Sequence, residues 1–216
     1  MSAIAAAVRP LGLCCAALLV AACVRVVGGA PLAAVGGESP RAVPGVDVDK
    51  ILLDQSRMRA ITGAGEDLTI IPSMDGKYPV DLDDLAQTAP PQCRFIYSET
   101  LTFGSDIAEF HKTTFQDPPD SALISEAAAA YRDAGTARRA FTALVAAVEH
   151  CASSSASWPF VGVWSADDAS LRIRPGGCGR DYRVKAAVLL EVTFCGFPES
   201  VSDIVMTNIA ANVRTR

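Results

Sequence analysis

Four cysteines, Cys93, Cys151, Cys178 and Cys195, constrain this chain more than any other feature. An even number of thiols in an exported chain reads as disulfides, and two covalent staples exclude most arrangements that composition alone would permit. Three connectivities are possible. We adopt the sequential one, Cys93–Cys151 and Cys178–Cys195, for which loop closure gives stabilisations of about 4 and about 3 kcal/mol. Zinc is the competing use of such thiols. No C-x-x-C or H-x₃₋₅-H spacing occurs, and His111 and His150 are far apart, so no metal is expected.

The export reading comes from the first residues. Residues 1–22 hold one charged side chain, Arg9, and an apolar run from Leu11 to Ala22 follows Pro10. That run is shorter than the ~20 residues a spanning helix needs and suits the core of a signal peptide. It ends in Val20-Ala21-Ala22-Cys23, which resembles the bacterial lipobox. Its small residues suit a peptidase cleft and its thiol is the nucleophile that is alkylated, so Cys23 is the expected lipid attachment site. Two or more acyl chains hold a protein that one chain holds only marginally. Residues 23–46 are small, rich in Gly and Pro and without period, and read as a flexible tether with a reach of about 25 Å. The folded domain is expected over 47–216, on the extracytoplasmic face of the cell membrane and joined to it through the lipid.

Composition narrows the function classes. A chain that is 50% hydrophobic and 20% charged folds, and a net charge of −5 disfavours nucleic acid as a partner.

Periodicity then places the elements. Asp133 caps a helix over 133–152 whose Ala137, Phe141, Leu144, Val148 and Cys151 fall on one face. Tyr182–Phe194 alternates like a strand, yet it is too long for one, and a Cys178–Cys195 bond requires the chain to reverse near Ala186-Ala187. A two-residue turn there would put Val184 and Leu190 on opposite faces; a three-residue loop or a bulge would restore the alternation. The turn type stays open. Ile107–Phe115 and Leu123–Tyr131 are expected strands around the turn signal Asp117-Pro118-Pro119-Asp120. Trp158–Trp164 and Ser170–Arg174 are expected as further strands. The segment 47–61 is expected as a helix in two pieces, and Asp67–Pro72 as a short strand. Asp81–Gln87 is expected as a short acidic helix, and Cys93–Ser98 as either a helical turn or a strand. Pro198–Val213 is expected to close the chain as a helix with Val201, Ile204, Val205, Ile209 and Val213 inward. Without regular βαβ alternation, the fold class is α+β, a mostly antiparallel sheet packed with helices.

This order of elements resembles the PknH-like extracellular sensor domains of mycobacterial serine/threonine kinases, a family that also includes stand-alone lipoproteins. The paired cysteines and the alanine-rich stretch RDAGTARRAFTALVAAVEHC carry the resemblance, which covers about residues 47–213. It implies the same two disulfides, an α+β fold, and a cleft on one side of the sheet for an unidentified ligand. Two departures matter. Ala186-Ala187 stand at a hairpin tip where relatives often have Asn or Gly. No kinase segment is present (no G-x-G-x-x-G, H-R-D or D-F-G), so signalling would need a partner.

Candidate chemistry is sparse. His150 adjoins Cys151, but a cysteine on an apolar helix face of an exported chain is more often bridged than catalytic. His111, in a strand beside Lys112, reads as a surface or cleft-lining imidazole. Templates such as G-x-S-x-G, S-x-x-K and H-E-x-x-H are missing. Asp81, Asp83 and Asp84 read as the polar face of the short helix, and Asp167-Asp168 as a turn. Arg172, Arg174 and Arg180 gather near Gly176-Gly177, where they either meet an anionic ligand or form a solvated face. Trp158, Phe160 and Trp164 make the densest aromatic patch, read first as core and second as cleft lining. The candidate ligand residues are therefore Trp158, Phe160, Trp164, Arg172 and Arg174. The expected function is a non-catalytic sensor or ligand-binding domain, without cofactor, whose partner is an unknown small ligand. A module docking another envelope protein is the alternative, and an exported hydrolase the third reading.

Overall fold

The computed structural model describes residues 46–214. The signal segment, Cys23 and the tether up to residue 45 lie outside the described residues.

Helix α1 (Gln55–Thr62) follows a single helical turn at Val48–Lys50. Strand β1 (Thr69–Ile70) and the short helix α2 (Asp83–Thr88) come next, then a 3-10 helix at Pro91–Tyr97 and α3 (Glu99–Phe103). Strands β2 (Ile107–Asp117) and β3 (Ala122–Tyr131) precede the long helix α4 (Ala134–Ala152) and the single turn α5 (Trp158–Val161). Strands β4 (Val163–Ala166), β5 (Ser170–Arg174), β6 (Cys178–Lys185) and β7 (Val188–Cys195) lead to α6 (Glu199–Asn212). The strands form one antiparallel sheet in the order β1-β2-β3-β7-β6-β5-β4, so the α+β expectation holds. Both sequential disulfides are formed, with Cα–Cα separations of 4.8 Å for Cys93–Cys151 and 4.1 Å for Cys178–Cys195.

The sheet is covered on both faces. On one, Phe141, Leu144 and Val148 of α4 pack with Cys93 and Phe95 of the 3-10 helix over Phe110, Ala127, Ala129 and Leu189. On the other, Val205, Met206 and Ile209 of α6 join Val48, Ile51 and Met58 over Phe115, Ile124, Ala128 and Leu190. Each large side chain so buried contributes roughly 1.5–3 kcal/mol. Helix α4 starts as its sequence requires, with Asp133 Oδ1 accepting the Thr136 N–H at 2.7 Å.

One open point is settled and two expectations are corrected. The β6–β7 hairpin closes with a two-residue turn, because Lys185 pairs with Val188 and Val184 with Leu189. Val184 and Leu190 therefore do lie on opposite faces. No loop or bulge is needed, because β7 is buried on both sides: Leu189 enters one core and Leu190 the other. The turn places Ala186 at φ +51°, a conformation that costs a residue with a Cβ ~1–2 kcal/mol. The Trp158 end of Trp158–Trp164 is helical, and only Val163 onward is strand. Gly162 permits the change of direction: φ is +52° and an added Cβ would stand 2.0 Å from the Arg174 carbonyl oxygen. In α6, Ile204 faces solvent and Ser202 is buried in its stead, donating its hydroxyl to Asp181 Oδ2 at 2.5 Å.

Candidate functional site

Helix α4 and the 3-10 helix cover only part of their face of the sheet. Cross-strand register shows what the uncovered end presents. Thr114 on β2 pairs with Ser125 on β3, Ser125 with Thr193 on β7, and Thr193 with Arg180 on β6. Directly paired residues share a face, so three hydroxyls and a guanidinium form one row across four strands. The adjoining row is Lys112, Ala127, Glu191 and Tyr182. From these two rows Lys112, Thr114, Ser125, Arg180, Glu191 and Thr193 floor a cleft of about 300 Å³, with Ala127 and Tyr182 buried beneath. Its walls come from the segment between β1 and α3, with Met74, Tyr78, Val80, Leu82 and Leu85 exposed along it.

The charges of the floor are tightly arranged. Lys112 Nζ lies 2.7 Å from Glu99 Oε1 and 3.5 Å from Glu191 Oε1. Desolvation opposes the lysine's charge, but Glu191 and Glu99 outweigh it and hold the ammonium above its usual pKa. Burial likewise opposes the Glu191 carboxylate; Lys112, Arg180 and a 2.7 Å hydrogen bond from Thr193 Oγ1 more than compensate and hold it below the ordinary range. Arg180 is desolvated too and remains a cation, because Tyr182 and Glu191 offset the loss of water. Among the described residues no carboxylate comes within ion-pairing distance of its guanidinium. The fully buried Tyr182 hydroxyl beside it makes no hydrogen bond. Such an arrangement suits the binding and orienting of a polar group, with the Glu191 carboxylate engaged by Lys112 and by the Thr193 hydroxyl.

A scan against family models matches residues 43–213 to the PknH-like extracellular domain. The chain belongs to this family. The PknH-like fold is also seen among solved structures. The crystal structure of the extracellular domain of PknH from Mycobacterium tuberculosis matches with a TM-score of 0.53 at 16% identity, covering 76% of this chain and 93% of that one. No curated protein matches.

None of the five candidate ligand residues lines the cleft of this PknH-like domain. Trp158 is exposed at the start of α5, and Phe160 packs edge-on to Tyr97 with ring centroids 6.4 Å apart. Trp164 is half-buried against the α4 core. Arg172 pairs with Asp203 of α6 at 2.5 Å. Arg174 pairs with Asp181 at 2.8 Å and Glu199 at 3.3 Å, and lies over the Phe194 ring at 5.1 Å. The three arginines do not converge, because Arg180 is in register with Ile173 and so lies on the opposite face from Arg172 and Arg174. Only Arg180 reaches the cleft.

Other expectations meet plain geometry. His150 is exposed while Cys151 is bridged. His111 is on the α6 side, held by Asp49 through Nδ1 and Asp75 through Nε2, each at 2.9 Å. Asp81 precedes α2 rather than belonging to it, and accepts from the Ser98 hydroxyl at 2.8 Å and the Thr100 N–H at 3.0 Å. That anchors the cleft wall to the start of α3. Among the described residues, no cluster of His, Cys, Asp and Glu could hold a metal. A wider hollow of about 870 Å³ lies between residues 46–51 and 211–214, but its Asp47, Lys50, Glu109 and Arg214 are all exposed.

The cleft residues had a faint signal in sequence. Lys112, Glu191 and Thr193 are polar positions inside strands, spaced two apart on β7. What joins them is the pairing of β3 with β7, and neither periodicity nor spacing reports that pairing.

Proposed function

We propose that this PknH-like domain is a non-catalytic extracytoplasmic sensor that binds a small ligand in the cleft over β2, β3, β7 and β6, and that Cys23 carries the lipid holding it to the membrane. One observation carries the reading. A concave site with exposed apolar walls converges on a few polar groups whose charges are already balanced or desolvated, the combination that binds and orients rather than reacts. Membership of the PknH-like extracellular domain family supports the non-catalytic part. Native mass spectrometry of the protein purified from its own membrane tests it. The expected mass carries acyl chains on Cys23 and two disulfides, together with a small molecule that Leu82→Asp releases. A bare, unacylated chain that carries nothing at any concentration would overturn it.

The exposed wall residues also favour a second reading, in which the same rim docks an envelope protein. Cross-linking from a photoreactive residue at position 78 separates the two. A discrete protein adduct supports docking, and protection by a co-purified small molecule supports the sensor.

A further inference from the structure

The chemistry of the cleft goes further than the presence of a ligand. Six of the ten exposed large hydrophobic side chains among the described residues, Met74, Tyr78, Val80, Leu82, Leu85 and Leu123, line this one cleft. Apolar surface so concentrated is covered by an apolar body when the site is filled. The floor makes the opposite demand. Lys112 is shared between Glu99 and Glu191, and the Thr193 hydroxyl already donates its hydrogen bond to Glu191. Thr114 and Ser125 hydroxyls bond each other at 2.9 Å, which leaves one of their two protons free. Arg180 is different: its planar fork of donors faces the cleft with no carboxylate partner among the described residues. A guanidinium in that situation is matched by an oxyanion, which accepts two parallel N–H bonds at once.

We propose that the cleft takes a single-headed amphiphile, whose carboxylate- or phosphate-class head is held by Arg180 and the adjoining hydroxyl row and whose apolar body lies along Tyr78, Val80, Leu82 and Leu85. This rests on the reading of the cleft as a ligand site and adds the ligand's class. The ligand is a monomer held by both ends of the cleft. A bare anion leaves the wall uncovered, and an uncharged lipid leaves the guanidinium unpartnered.

Calorimetric titration of the purified full-length chain, disulfides intact, tests this with three probes: decyl phosphate, decanol and inorganic phosphate. Decyl phosphate is expected to bind at least about tenfold more tightly than decanol, a difference of ~1.4 kcal/mol, and inorganic phosphate not at all. Arg180→Gln is expected to bring decyl phosphate down to the level of decanol, and Arg180→Lys to recover part of the loss. Leu82 is on the surface, so Leu82→Asp leaves the fold intact and is expected to weaken both amphiphiles, which keeps the test valid should Arg180→Gln fail to fold. Equal binding of decanol and decyl phosphate overturns the assignment of the head. Binding of inorganic phosphate as tight as decyl phosphate overturns the apolar body. Failure of both amphiphiles overturns the ligand class alone, because the native mass measurement decides separately whether the cleft holds any ligand.

Discussion

Glu126 on β3 and Glu191 on β7 are the same residue on adjacent strands, both almost wholly shielded from water, and they behave oppositely. Glu191 faces the cleft, where Lys112, Arg180 and Thr193 hold it ionised below the ordinary carboxylate range. Glu126 faces the α6 side, one register position away. There its Oε1 accepts the Leu53 N–H at 2.7 Å and its Oε2 has no partner, so desolvation prevails and its pKa rises to about 8. Burial alone therefore does not decide whether a carboxyl in this sheet is charged; the face it points to does, through the partners found there. On the cleft face Glu191 has cations within reach, and on the opposite face Glu126 has none, whereas Asp181 on that same face is matched by Arg174.

The largest effect that would break this contrast is a pH dependence. The unfolded Glu126 releases its proton near pH 4.5 and the folded one keeps it to about 8. Stability should thus be fully present below pH 4.5 and fall as pH rises through that window, by about 5 kcal/mol. Urea unfolding at pH 5 and pH 8 checks this, and Glu126→Gln is expected to flatten the profile; an unchanged profile would show the carboxyl to be ionised. Next in size, Lys112→Met leaves Glu191 buried without its ion partner and should cost about 3–5 kcal/mol in the same measurement. Adding Glu191→Met should recover more than half, which separates a stranded charge from lost packing. Smaller again, Thr193→Val removes the hydroxyl proton from Glu191. It should destabilise by about 1–2 kcal/mol and raise the Glu191 titration seen in carboxyl carbon shifts, with Glu126 unmoved. The least effect sharpens the geometry that puts Glu191 on its face: Ala186→Gly relieves the positive φ at the hairpin tip and should stabilise by about 1 kcal/mol on thermal unfolding.

How much of this was legible in sequence differs from element to element. Helix α4 declared itself, because Asp133 and the stripe from Ala137 to Cys151 are local facts, and local facts survive into the fold. Strand β3, expected over Leu123–Tyr131 and found over Ala122–Tyr131, forms against its local preference. Its Ala127-Ala128-Ala129-Ala130 run has high helix propensity, and it is a strand because packed layers close over both faces and leave space only for methyl groups. The turn at the hairpin tip could not be read from alternation, since alternation marks a buried face only when the other face is wet, and β7 is buried on both. The tryptophans and arginines of 158–174 stood out by residue type, but register sent them to the outer edge and to α6, where acidic partners had already claimed two of the guanidinium groups.

What the chain order determined unaided is most of the longer elements, helices α4 and α6 and strands β2 and β3 among them, and the identity of the four bonded thiols, since spacing, caps and hydrophobic period act over a few residues. What only the tertiary structure decided is the cleft. Its floor takes Lys112, Ser125, Arg180 and Glu191 from four strands, and strands distant in sequence become neighbours through non-local pairing, which leaves no periodic trace in the residues themselves.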